Sequence, residues 1–189
     1  MRKKITKLFW IWQLDKEEAW INEMASHGYS LEHAGRMTFE FDETEQGLYR
    51  YKTLFLKGSA GSSENIEYFR FLEETGIKII SYINYPGTCC VYTRGLASDF
   101  PDGLEIYSDI DSRINYLKVT AGYLIFVAVF TLFAGVLNAF AAFLPQNGLA
   151  LMNSVLVAAM LLLCIFASAA TIKTYIKIGN LKKEREIHE

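Results

Sequence analysis

Polar and apolar positions alternate through the first half of the chain, then give way to a run from Val119 to Ile172 that carries no charge. The run is about 54 residues long, whereas one membrane-crossing helix needs only ~20. It predicts two spans, Val119–Leu144 and Leu149–Ile172, joined by the turn formers Pro145-Gln146-Asn147-Gly148. Gly122, Gly135, Ala139, Ser154 and Ala158 are small enough to let the spans approach closely, and Asn138 and Asn153 could hydrogen-bond across the helices or to a partner.

Before the spans the pattern is that of a small α+β domain. Lys7–Gln13 has the aromatic and β-branched content of a strand. Asp15 and Glu18 fit a capping box. The helix they open sets Ala19, Trp20 and Met24 on one side, and Gly28 stops it. Tyr29–Ala34, Arg36–Asp42 and Leu48–Leu56 read as strands. A hairpin turning at Glu45 would place Phe41 opposite Tyr49, Phe39 opposite Tyr51 and Glu40 opposite Arg50. Ser63 caps a second helix, Glu64–Thr75, with Ile66, Tyr68, Phe69 and Leu72 as its inner stripe and Gly76 as its stop. Ile77–Asn84 and Thr88–Arg94 are the last strands, turning at Tyr85-Pro86-Gly87.

The order is strand-helix-strand-strand, twice. It predicts an antiparallel sheet built from two such units, with both helices on one face, followed by a transmembrane helical hairpin. The predicted divisions are 1–95 for the cytoplasmic domain and 96–118 for a linker and juxtamembrane helix starting at Ser108 or Asp109. The hairpin takes 119–172 and a mixed basic and acidic tail 173–189.

Charge sets the orientation. Arg113 and Lys118 precede the first span; Lys173, Lys177, Lys182, Lys183 and Arg185 follow the second; the connecting loop has no cation. Positive charge stays inside, so both termini are expected in the cytoplasm of a two-span cell-membrane protein. The start, Met1-Arg2-Lys3-Lys4, is basic, but the apolar stretch behind it is too short for a cleaved signal. A net charge of −2 provides no global basic surface and argues against nucleic acid as a partner. The adjacent Cys89 and Cys90 fit strand packing better than a disulfide in a reducing compartment.

Several segments, in order, resemble a known family. They are Phe9-Trp10-Ile11-Trp12 with Trp20, Met24, Ala25 and Gly28 behind it; Gly47-Leu48-Tyr49-Arg50-Tyr51; Phe71-Leu72-Glu73-Glu74-Thr75-Gly76; and Ile106-Tyr107-Ser108-Asp109-Ile110-Asp111-Ser112. Together they are similar to the bacterial family called domain of unknown function 2812. The resemblance implies trailing membrane spans and genes beside PadR-like regulators, hence a link to regulated membrane responses, with no established activity. The chain departs from the pattern at Ile77, where Trp is common, and at Tyr85-Pro86-Gly87-Thr88-Cys89, which replaces a Gly- and Trp-rich turn.

The chemistry worth weighing is aromatic: 3 Trp, 11 Tyr and 13 Phe. Bulky residues on both faces of a strand exceed what a one-sided core requires. Trp10, Trp12, Phe39, Phe41, Tyr49 and Tyr51 are therefore the candidate face for a flat or cationic ligand or a protein partner. His27, His33 and His188 stand at no metal-ligand spacing, and no phosphate loop, nucleophile elbow or zincin helix is present. No cofactor, metal or catalytic residue is expected. The spans lack Asp, Glu, Lys, Arg and His, which argues against a stand-alone transporter. The expected function is a non-enzymatic, membrane-anchored regulatory or sensing protein. Its expected partners are the lipid bilayer, a protein or small ligand, and a second copy of the chain. The alternative is an accessory subunit of a membrane transport complex.

Overall fold

The computed structural model describes residues 2–104, 106, 110–142 and 150–188. The predicted span-connecting turn, 145–148, and the predicted helix start at 108–109 lie outside them. The chain forms two compact units, 1–116 and 117–189.

The first unit contains β1 (Lys3–Thr6), α1 (Leu14–Ser26), β2 (Tyr29–Ala34), β3 (Thr38–Glu43), β4 (Tyr49–Lys57), α2 (Ser63–Glu74), β5 (Lys78–Tyr85) and β6 (Thr88–Leu96). Strand-helix-strand-strand occurs twice, and the fold is antiparallel α+β. The six strands divide into two sheets of three rather than one, in the orders β1-β3-β2 and β4-β6-β5. In each, the last strand of the repeat sits in the middle. Each also carries a register shift between its second and third strands, at Leu31/His33 and at Ile79/Ser81.

The predicted hairpin between the third and fourth strands does not form. β3 pairs with β1 and β2, β4 pairs with β6, and Glu40 meets Lys4 and Arg2 instead of Arg50. The connection is diverted onto the end of α1: the Thr44 N–H donates to the Gly28 carbonyl and the Gly47 N–H to the Ala25 carbonyl, each at 2.9 Å. Alternation alone fits two separate half-buried strands as well as a hairpin.

The first strand is also displaced, to Lys3–Thr6, while Ile11–Gln13 forms a 3-10 turn. Gln13 reorganises this stretch. Its side-chain Oε1 accepts the Trp10 N–H at 3.1 Å, and its own N–H donates to the Trp10 carbonyl at 2.7 Å. The helix consequently opens at Leu14, and Asp15 and Glu18 are freed for other partners. Its buried residues are Ile21 and Ala25, while Ala19 is exposed. Gly28 adopts φ +85°, and a Cβ there would stand 3.0 Å from the Thr44 carbonyl oxygen, so both conformation and space call for glycine. The second helix is capped by Ser62, whose hydroxyl accepts the Asn65 N–H; Asn65 and Leu72 are buried and Ile66 faces out.

Two cores result. Phe39, Phe41, Leu31 and Ala34 close over α1, with Trp20 edge-on to both Phe39 and Phe41 at 5.1 and 5.6 Å. Leu54, Leu56, Cys89 and Val91 pack with Leu72, Ala60 and Ile77. The stretch after β6 returns to this second core: Leu104 is buried in it and Phe100 packs against it. Gly95 permits that return, because a Cβ there would lie 2.6 Å from the Phe100 ring.

The seam between the repeats is closed by side chains. On β2, the Leu31 N–H donates to the Tyr51 hydroxyl at 2.9 Å, and the Ala34 N–H donates to Ser81 Oγ at 3.0 Å. Arg94 Nη1 reaches the Leu31 carbonyl at 3.3 Å. On β4, Asn22 takes both backbone groups of Tyr51, and Glu18 Oε2 accepts the Thr53 N–H at 2.9 Å. Each repeat thus satisfies edge groups that the other leaves open, as buried backbone polar groups require.

The second unit holds most of α3 (Ile110–Ala142) and all of α4 (Ala150–His188). At 1.5 Å per residue they are about 50 and 58 Å long, and both are long and apolar enough to cross a membrane. Buried positions recur every three or four residues, at Leu117 and Ala121 on α3 and at Ala167, Ala170, Thr174, Ile178 and Leu181 on α4. Asn138 Nδ2 lies 3.8 Å from Met160 Sδ, and a Cβ on Gly135 would sit 3.6 Å from Met160 Cβ. Of the small residues expected between the helices, Gly135 is at this seam; Gly122, Ser154 and Ala158 face away from it.

Candidate functional site

The six aromatic residues singled out by sequence do not share one surface. Phe39 and Phe41 are enclosed in the first core and offer nothing to a ligand. Trp10 and Trp12 stack on each other, centroids 5.6 Å apart and planes 4° from parallel, with Trp10 38% exposed. Tyr51 is buried at the seam, its ring 6.4 Å from Tyr49. Tyr49 in turn lies beneath the Arg94 guanidinium, 4.6 Å from its centroid.

Arg94 organises that corner. Its Nη1 donates to Ser30 Oγ and to Glu32 Oε1, both at 2.6 Å. Burial pushes the Glu32 carboxyl up, but the bonds from Arg94 and Ser30, with the charges of Arg94 and Lys78, outweigh it and leave its pKa below the ordinary value. Tyr51 moves the other way: burial raises its hydroxyl, which therefore stays protonated.

A second cluster lies on the face of β4 and β6 opposite Val91. Ladder partners Phe55 and Cys90, and Thr53 and Tyr92, share it. The Tyr92 hydroxyl donates to Glu17 Oε1 at 2.6 Å. Glu17 makes no ion pair among the described residues, and burial raises its pKa. Burial likewise pushes up the Tyr92 hydroxyl and the Cys90 thiol, with the Glu17 charge adding to both. A thiol held protonated is a poor nucleophile. Cys89 points to the opposite face, so the adjacent cysteines cannot act as a pair.

The first turns of α3 complete this cluster. Tyr116 packs 4.5 Å from Tyr85 and 5.4 Å from Phe55, centroid to centroid. Arg113 pairs with Asp15 and lies 6.0 Å over Phe55, while its buried Nε has no hydrogen-bond partner among the described residues.

An open cleft of about 380 Å³ lies between α1, β4 and the loop after β6. Two cations, Arg50 and Lys52, and two carboxylates, Glu18 and Asp102, line it, with Tyr51 and Leu104 among the other walls. Lys52 Nζ is 3.0 Å from Glu18 Oε1. Among the described residues no group of His, Cys, Asp and Glu is arranged to hold a metal ion.

Sequence reasoning missed Glu17, Arg94, Arg113 and Asp102. Glu17 and Asp15 stand in the first turn of α1, and only the placement of β6 and α3 gives them partners. Asp102 sits in Pro101-Asp102-Gly103, a turn signal inside the predicted linker.

No curated protein and no solved structure matches the chain. One family does, over residues 13–129, a stretch that runs from the start of α1 into α3. The chain belongs to the family described as Protein of unknown function (DUF2812).

Proposed function

We propose that this is a non-enzymatic regulatory or sensing protein, held in the cell membrane by α3 and α4 with both termini in the cytoplasm. Its N-terminal unit binds a small ligand or a protein partner. One observation carries the reading: Arg113 and Tyr116 are built into the aromatic interior of that unit, and the helix that bears them runs without a break to Ala142. Binding that rearranges this interior acts on a helix that is also a membrane element. The cations flanking both apolar stretches support the orientation.

A second reading, an accessory subunit of a membrane transport complex, draws on the apolar outer faces of α3 and α4, where Phe126, Phe130, Phe133 and Leu162 are exposed. Such faces suit either lipid or another membrane protein.

Cross-linked affinity capture from whole membranes separates the readings. It compares the native chain, Arg113→Ala, and a chain whose residues from Val119 to Ile172 are exchanged for an unrelated hairpin. The regulatory reading expects the hairpin exchange to keep the specific partner and Arg113→Ala to lose it. Loss on hairpin exchange alone points to the accessory subunit. Equal capture by all three chains overturns the proposal.

A further inference from the structure

We propose that the cleft between α1, β4 and the 101–104 loop binds a small zwitterion of the α-amino-acid class. The carboxylate would sit on Arg50 and the ammonium on Asp102. The inference goes beyond the regulatory reading and does not rest on it.

Most polar groups in the cleft are already occupied. Glu18 gives one oxygen to Lys52 and the other to the Thr53 N–H. The Asn22 amide is used on the backbone of Tyr51 and on the Glu18 carbonyl. Two charges remain. Arg50 and Asp102 both line the cleft, and neither side chain makes a hydrogen bond or ion pair among the described residues.

These opposite charges form no ion pair with each other in the structure. Arg50 is fixed in the β4–β6 ladder opposite Gly95. Asp102 belongs to a turn between Pro101 and Gly103, the latter at φ +115°, and the turn is anchored by Leu104 in the core beneath. A molecule that carries both charges as groups on one carbon satisfies both residues together. A guanidinium takes a carboxylate through two parallel hydrogen bonds, which fixes its orientation.

Charge balance selects against other classes. A dianion would face Glu18 and Asp102, and a dication would face Arg50 and Lys52. An overall neutral ligand with separated charges meets neither penalty. The volume of about 380 Å³ falls within the ~300–1,000 Å³ of small-molecule sites.

The test uses the full chain in nanodiscs, titrated calorimetrically with the twenty standard α-amino acids in turn. The best binder is then compared with its N-acetyl and its amide forms, which lack the ammonium and the carboxylate respectively. At least one free amino acid is expected to saturate, and either modification weakens it about tenfold or more. Arg50→Ala is expected to erase the preference for the free acid over the amide while keeping the preference over the N-acetyl form. Asp102→Asn is expected to do the reverse. Neither side chain holds the fold, so unchanged melting of both variants is part of the expectation. Absence of saturation by every amino acid up to about 10 mM, or equal binding to native chain and both variants, overturns the proposal. That result would leave the capture experiment on Arg113 and the hairpin unaffected.

Discussion

Asn22 on α1 takes both backbone groups of Tyr51 on β4: the Tyr51 N–H donates to Oδ1 and Nδ2 donates to the Tyr51 carbonyl, each at 2.9 Å. One side chain stands in for a missing neighbour strand. Asn22→Ala leaves both groups without that partner and is expected to cost about 2–3 kcal/mol, read as a loss of urea resistance of the detergent-solubilised chain. Asn22→Asp restores only the acceptor and sets a carboxylate against the Tyr51 carbonyl, so it should not recover the loss.

Glu17 gives an acid-favouring slope. Its folded pKa is raised above the ordinary 4.5 by burial, with the Tyr92 hydrogen bond pulling the other way. A raised carboxyl contributes stability that is full below the unfolded value and declines as pH climbs through the folded one. Glu17→Gln keeps an acceptor for Tyr92 and removes the ionisation. Its melting temperature should exceed that of the native chain at neutral pH, and the gap should close below about pH 4. A constant gap across the titration would contradict this assignment.

Glu32 slopes oppositely. Its pKa is depressed, so the Arg94 contact contributes above the unfolded value and fades as the solution is acidified. Arg94→Ala removes a side chain only 11% exposed, together with its bonds to Ser30, Leu31 and Glu32. The expected cost is about 2–4 kcal/mol near neutrality. Arg94→Lys should recover little of it, because a single ammonium lacks the planar fork. Denaturation curves for the three chains at pH 7 and pH 4 check both statements.

The membrane reading has its own measurement. The native chain should remain in the pellet after carbonate extraction. A cysteine introduced as Asn147→Cys should react with an impermeant reagent from outside intact cells, and one introduced as His188→Cys only after lysis. The opposite pattern would reverse the orientation.

Much of the fold was legible in local signals, and the limits are instructive. Gly28 and Gly76 end their helices at φ +85° and +86°, as expected for residues that need no Cβ. β2 occupies the predicted Tyr29–Ala34, and β5 and β6 turn at Tyr85-Pro86-Gly87 as read. Pairing was not legible. Phe39, Phe41, Tyr49 and Tyr51 alternate well enough for a hairpin, but the decision lies with Thr44 and Gly47, whose N–H groups bond to the Gly28 and Ala25 carbonyls at the end of α1. That contact is long-range and leaves no local pattern. For the same reason the candidate aromatic face separated into a core pair, a stacked tryptophan pair and a seam pair. The aromatic excess was real, but the polar tips that distinguish Tyr51, Tyr92 and Tyr116 from core phenylalanines needed partners from distant elements.

The reciprocal sealing of β2 and β4 makes the two repeats obligate companions. A polypeptide severed at Gln46 would leave two ribbons of bare amide, ready to stick to one another or to strangers. Mixed together, the two pieces should recombine into the native assembly; either one by itself should precipitate.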